Sequence, residues 1–73
     1  MSTFERTEQG FASALASAEW MASFHNRDYA LLVHRTQPRS YVVSLPSLID
    51  EGDVEPGTRA NLIHPDGSQS LMF

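Results

Sequence analysis

The side chains able to do chemistry in this 73-residue chain fall into three sets. Asp50, Glu51, Asp53 and Glu55 crowd four carboxylates into one short segment. Oxygen ligands at that density invite a calcium reading, but a helix–loop–helix calcium loop ends on a bidentate glutamate, and the stretch from Ile49 to Asn61 offers none at the required spacing. The segment is expected to be a solvated acidic loop or, alternatively, an electrostatic patch that speeds and selects association with a basic partner. His25, His34 and His64 form the second set. Strand neighbours could bring His34 and His64 together, yet no His-x-x-x-His or His/Cys spacing supports a metal site. His25 is expected to meet the terminal carbonyls of a helix instead. The third set is the serines and threonines. Nucleophilic catalysis needs a base beside the hydroxyl and a third group to orient that base, and no serine stands in a Gly-x-Ser-x-Gly elbow. Pro65-Asp66-Gly67-Ser68 reads as a hairpin turn, glycine-rich phosphate loops are absent, and a chain this short has little room for a pocket. No enzyme activity, metal or cofactor is expected.

The elements that must position these groups begin with a helix over residues 7–25. Thr7 is its expected cap, and Glu8 places negative charge in the first turn, where it favours the helix N-terminus. Gly10 costs about 1 kcal/mol against Ala inside a helix, so the helix is expected to begin nearer Gly10. Phe11, Leu15, Ala18 and Ala22 recur at spacings of three and four and make one stripe for a core. Trp20 follows Phe11 by nine residues. At about 100° per residue it points roughly 180° away from that stripe, with Phe24 one turn on and Met21 beside them. A small domain can hardly bury both faces of one helix. The second face is expected either to bind something else or to pack under the Ser47–Glu55 loop. Polar His25-Asn26-Arg27-Asp28 ends the helix, with Asn26 suited to the left-handed C-cap.

Beyond it, Tyr29–Arg35 reads as a central strand and Ser40–Leu45 as its hairpin partner across Gln37-Pro38-Arg39. Pro46 ends that strand, and Ser47 is expected to cap a short helical turn. Thr58–His64 and Gln69–Phe73 are further strands joined by Pro65-Asp66-Gly67, and Leu71-Met72-Phe73 is expected to be docked. Residues 1–6 read as a loose or docking terminus, and residues 50–57 as the acidic loop within the sheet region of 29–73. The expected fold is a single α+β domain: one N-terminal helix packed on a three- to four-stranded antiparallel sheet. Phe11, Leu15, Leu31, Val33, Val43, Leu45, Leu62 and Ile63 are its expected core.

Composition narrows the function classes. Net charge is −4, and all five basic residues are arginines, dispersed along the chain. Direct nucleic-acid binding is not expected, because backbone affinity comes from clustered cations. There is no cysteine to make a disulfide or a thiolate metal site. No apolar run approaches the ~20 residues of a membrane span, and the N-terminus lacks signal-peptide character, so a soluble intracellular protein is expected. A chain of this size buries only about 60% of its unfolded surface, so its stability should be modest.

The chain's length, its Arg-only basic content and its opening Met1-Ser2-Thr3-Phe4-Glu5-Arg6-Thr7-Glu8-Gln9-Gly10 resemble the small RNA polymerase-binding transcription inhibitors of lytic Xanthomonas phages. The likeness runs over the whole chain without a diagnostic motif. It implies a protein that binds a large subunit of host bacterial RNA polymerase, inhibits initiation and alters termination in the host cytoplasm, with no chemistry of its own. Other phage proteins, including inhibitors of CRISPR defence complexes, share this composition. A self-associating structural protein is the alternative of another class, whereas an inhibitor is expected to be a monomer when free. The resemblance assigns no interface residues. Physical reasoning offers Phe4, Glu5, Glu8, Trp20 and Phe24 on or beside the helix as partner-binding candidates, with Asp50, Glu51, Asp53 and Glu55 as the electrostatic alternative.

Overall fold

A computed structural model describes residues 2–73; Met1, part of the expected loose or docking terminus, lies outside the described residues. One helix, α1 (Glu8–His25), packs on an antiparallel sheet, as expected for an α+β domain. The sheet has five strands: β1 (Ser2–Glu5), β2 (Tyr29–Leu32), β3 (Ser40–Ser44), β4 (Asn61–Ile63) and β5 (Gln69–Leu71), in the order β1-β3-β2-β4-β5. The additional strand comes from the segment expected to be a loose or docking terminus, and it docks. Phe4 pairs with Tyr41 and Glu5 with Ser40, so β1 closes the open side of β3.

The start of α1 explains Gly10. Thr7 is extended and its hydroxyl accepts the Gly10 N–H at 3.0 Å, the expected cap. The chain reverses so tightly between β1 and α1 that a Cβ on Gly10 would lie 1.6 Å from the Glu5 carbonyl oxygen. The glycine therefore does not delay the helix, which begins at Glu8; it admits the backbone of β1. At the other end Asn26 takes the expected left-handed conformation (φ 52°), and its N–H bonds the Ala22 carbonyl.

The stripe that α1 presents to the sheet is Ala14, Ala18 and Ala22, spaced by four and fully buried. This rotates the expected stripe: Ala18 and Ala22 stay in it, Leu15 moves to its half-buried margin, and Phe11 is 37% exposed, edge-on to Tyr41 at 5.2 Å. Alanine lets the helix axis come close to the sheet, so the small face wins over the bulky one. Beneath it lie Tyr29, Leu31, Val43 and Ile63, with Phe4, Leu15, Met21, Tyr41 and Leu45 packed around them.

The opposite face of the sheet has its own core of Ala30, Leu32, Val42, Ile49 and Ala60, flanked by Val54 and Met72. The segment after β3 supplies its cover, which is why all of β2 is buried. That segment makes two 3-10 turns, Pro46–Leu48 and Glu51–Asp53. The first follows Leu45, with no side-chain cap, so Ser47 does not have the expected capping role. Of the expected core, Leu31, Val33, Val43 and Ile63 are fully buried, whereas Leu45 and Leu62 are half-buried. At the C-terminal end the expected docking holds for Met72 alone, whose N–H bonds the Ala60 carbonyl; Leu71 and Phe73 are more than half exposed.

Candidate functional site

Trp20 and Phe24 stand on the side of α1 that faces away from the sheet. Trp20 is two positions from both Ala18 and Ala22, about 200° round the helix from each, so burying the alanines turns the indole outward. The side chains at these two positions stack, with centroids 4.9 Å apart and planes within 10° of parallel. Trp20 is 62% and Phe24 68% exposed. Packing under the Ser47–Glu55 loop is overturned, because that loop covers the other face of the sheet. Met21 does not join the pair; it turns inward against the helix-side core. His25 sits edge-on to Phe24 at 5.1 Å and is the basic residue of the last helical turn.

The remaining helix-side candidates lie elsewhere. Phe4 is half-buried against the core, while Glu5 and Glu8 are exposed where β1 turns into α1. Glu8 precedes Trp20 by twelve residues of helix, about 18 Å along its axis. Phe4, Glu5 and Glu8 therefore do not form one patch with Trp20 and Phe24.

The acidic segment lies beyond the sheet and is tied down by its own hydrogen bonds. Asp53 accepts the Asp50 N–H at 2.9 Å in a capping box, its backbone carbonyl accepts the Arg35 N–H, and its carboxylate stands 3.8 Å from His34 Nε2. Glu51 and Glu55 border a groove of about 410 Å³ shared with Val54, Arg59, Leu71 and Phe73. Among the described residues, no three His, Cys, Asp or Glu side chains converge as a metal site would require.

The sheet separates His34 from His64. His34 bridges to Val54 beyond one end of β2, whereas His64 lies across from the other end, where Tyr29 pairs with Ile63. The strand pairing that could have joined the two imidazoles does not do so. His64 instead joins two groups that sequence reasoning missed. Its Nδ1 is 2.8 Å from Asp28 Oδ1 and its Nε2 is 2.8 Å from Ser70 Oγ. The signal lay in the register. A tight turn at Pro65-Asp66-Gly67 sets His64 against Ser68, so Ser70 comes next on the same face, and β2 begins one residue after Asp28. In the same turn the Ser68 hydroxyl donates to Asp66 at 2.6 Å and the Ser68 N–H at 2.9 Å. These bonds, with a smaller contribution from His64, hold the Asp66 carboxyl below the ordinary aspartate range.

Among the described residues, no helix is long and apolar enough to cross a membrane. Comparisons with protein-family models, curated proteins and solved structures return no match.

Proposed function

We propose that this chain is a phage-encoded inhibitor of host bacterial RNA polymerase that works by direct binding to a large subunit. Two things support the reading: the resemblance carried by the opening residues, and the exposed Trp20–Phe24 stack, which is the observation that carries the mode of action. Fully burying an aromatic side chain is worth about 1.5–3 kcal/mol, and here two remain in water on a domain with little stability to spare. A stacked pair fixed on a helix presents a flat, preorganised surface at small entropic cost, the character of an interface anchor. Binding there inhibits by holding or blocking a contact that initiation and termination require, with no reaction by the inhibitor. The acidic surface keeps the inhibitor from competing for DNA. It acts in the host cytoplasm as a monomer until it meets the enzyme.

A pull-down from bacterial lysate with tagged wild-type protein and a folded Trp20→Ala variant tests this. The expected result is polymerase recovered by the wild type and lost, at least tenfold, by the variant. Equal recovery by both proteins would keep the function but move the interface to the acidic segment or to Phe4, Glu5 and Glu8. Absence of polymerase from both would remove the proposal, and sedimentation as a dimer would then favour self-assembly through the same aromatic pair.

A further inference from the structure

We infer that Ser70 is an activated nucleophile, with His64 as its general base and Asp28 as the positioning residue for that base, able to take an acyl group from a small activated ester. The inference is independent of polymerase binding. Asp28, one residue before β2, His64, one residue after β4, and Ser70 on β5 run in a row on the sheet face opposite α1 and therefore opposite Trp20–Phe24.

The proton positions follow from the partners. An ionised carboxylate only accepts hydrogen bonds, so at neutral pH the 2.8 Å contact to Asp28 requires the proton on His64 Nδ1. In the neutral ring that leaves a lone pair on Nε2, and the 2.8 Å contact there is the Ser70 hydroxyl donating to it. Base beside nucleophile and carboxylate behind base are the two relations that serine nucleophiles need, and they are recognised by geometry and not by chain order. Ser70 is brought to His64 by the hairpin six positions on, and Asp28 by the sheet across a sequence separation of 36.

Ser70 is exposed, so an acyl donor can reach it. It lies on edge strand β5, where the Ser68 carbonyl accepts the His64 N–H and the Met72 N–H donates to the Ala60 carbonyl, on either side of β4. By alternation the Leu71 N–H, next in the chain after the nucleophile, points away from β4 and is free to face a developing oxyanion. Half-buried Leu62, directly across from Ser70, is the apolar neighbour nearest to it in the register. A site this open fits a short acyl chain on a good leaving group.

The reaction balances without any co-reactant except water. Ser70 Oγ bonds to the ester carbonyl carbon while its proton passes to His64 Nε2. The carbon–oxygen bond to the leaving group then breaks, and the alcohol departs with that proton. Water, deprotonated by the same nitrogen, later cleaves the acyl-serine to acid and regenerates the hydroxyl.

The test is incubation of the full chain with p-nitrophenyl acetate, followed by nitrophenolate release and peptide mapping of acetylated serines. Wild type is expected to carry one acetyl group, on Ser70, at a rate about 100-fold above any other serine, the lower end for general base catalysis. Ser70→Ala should abolish it. His64→Gln and Asp28→Asn should each reduce it at least about tenfold with the circular dichroism unchanged, the latter because an amide can donate to Nδ1 and leave the proton on Nε2. Acetyl spread evenly over the serines would overturn the inference. So would equal labelling of Ser70 in wild type and Asp28→Asn, or ester cleavage that survives Ser70→Ala but not His64→Gln, which would make the imidazole itself the nucleophile.

Discussion

Two residues on this chain have neighbours that their local sequence does not announce. Gly10 looks like a flaw in a helix, since propensity alone assigns it a penalty. Its role is set by the Glu5 carbonyl, which occupies the space a Cβ would need. Gly10→Ala should therefore destabilise the domain even though alanine is the better helix former. The contact is with backbone, so no rotamer change relieves it, and β1 must shift away from α1. Overpacking of this kind costs typically 1–3 kcal/mol, against roughly 1 kcal/mol gained in propensity. Urea denaturation is expected to show a lower midpoint, with amide exchange faster in Ser2–Glu5 than elsewhere. An unchanged or higher midpoint would mean that β1 does not constrain the turn. His64 is the second case. Periodicity gives it a place on a strand, but its partners are Ser70, which the hairpin register sets diagonally across, and Asp28, a sequence separation of 36 away, which only the sheet brings near.

At the scale of elements, local signals were enough wherever the determinants were local. The Thr7 cap, the Asn26 stop, the Pro38 turn and the Pro65-Asp66-Gly67 hairpin all stand where the sequence places them, because each depends on the φ/ψ preference or short-range bonding of a few adjacent residues. What failed depended on tertiary choice. Ser-Thr-Phe-Glu is too short and polar to mark itself as a strand; β1 exists because β3 offers it an edge. The buried helical face is rotated by about 30° from the expected one, with Ala14 in place of Phe11 and Leu15, because large apolar residues weigh most in a periodicity argument, whereas close approach to a sheet selects small ones. The Asn26 cap allows a clean test of a local determinant. Asn26→Ala keeps a Cβ in the left-handed region without the amide that eases it, and should cost about 1 kcal/mol. Asn26→Gly removes the strain and should equal or slightly exceed wild type in stability. Thermal melts of the two variants should thus fall on opposite sides of, or one below and one level with, the parent. Equal losses in both would show that the Asn26 side chain matters for a reason other than backbone conformation.

Across the whole molecule, the two cores and the exposed aromatic pair occupy different layers. The sheet is enclosed by α1 on one side and by the 45–58 segment on the other, so two small cores share β2. A chain this short depends on both, since neither buries enough apolar area alone. Ile49 is 5% exposed and is the covering segment's main contribution to the second core. Ile49→Ala should remove about 2–5 kcal/mol by lost transfer energy and the cavity left behind, a large part of the stability of a small domain. The double variant Trp20→Gln/Phe24→Gln should do the reverse: it touches neither core, so its urea midpoint should match wild type while polymerase capture disappears. The contrast separates the two roles with one measurement of stability and one of binding. If the double variant unfolded as readily as Ile49→Ala, the aromatic pair would be part of what holds the helix in place, and its exposure could no longer be read as a surface kept for a partner.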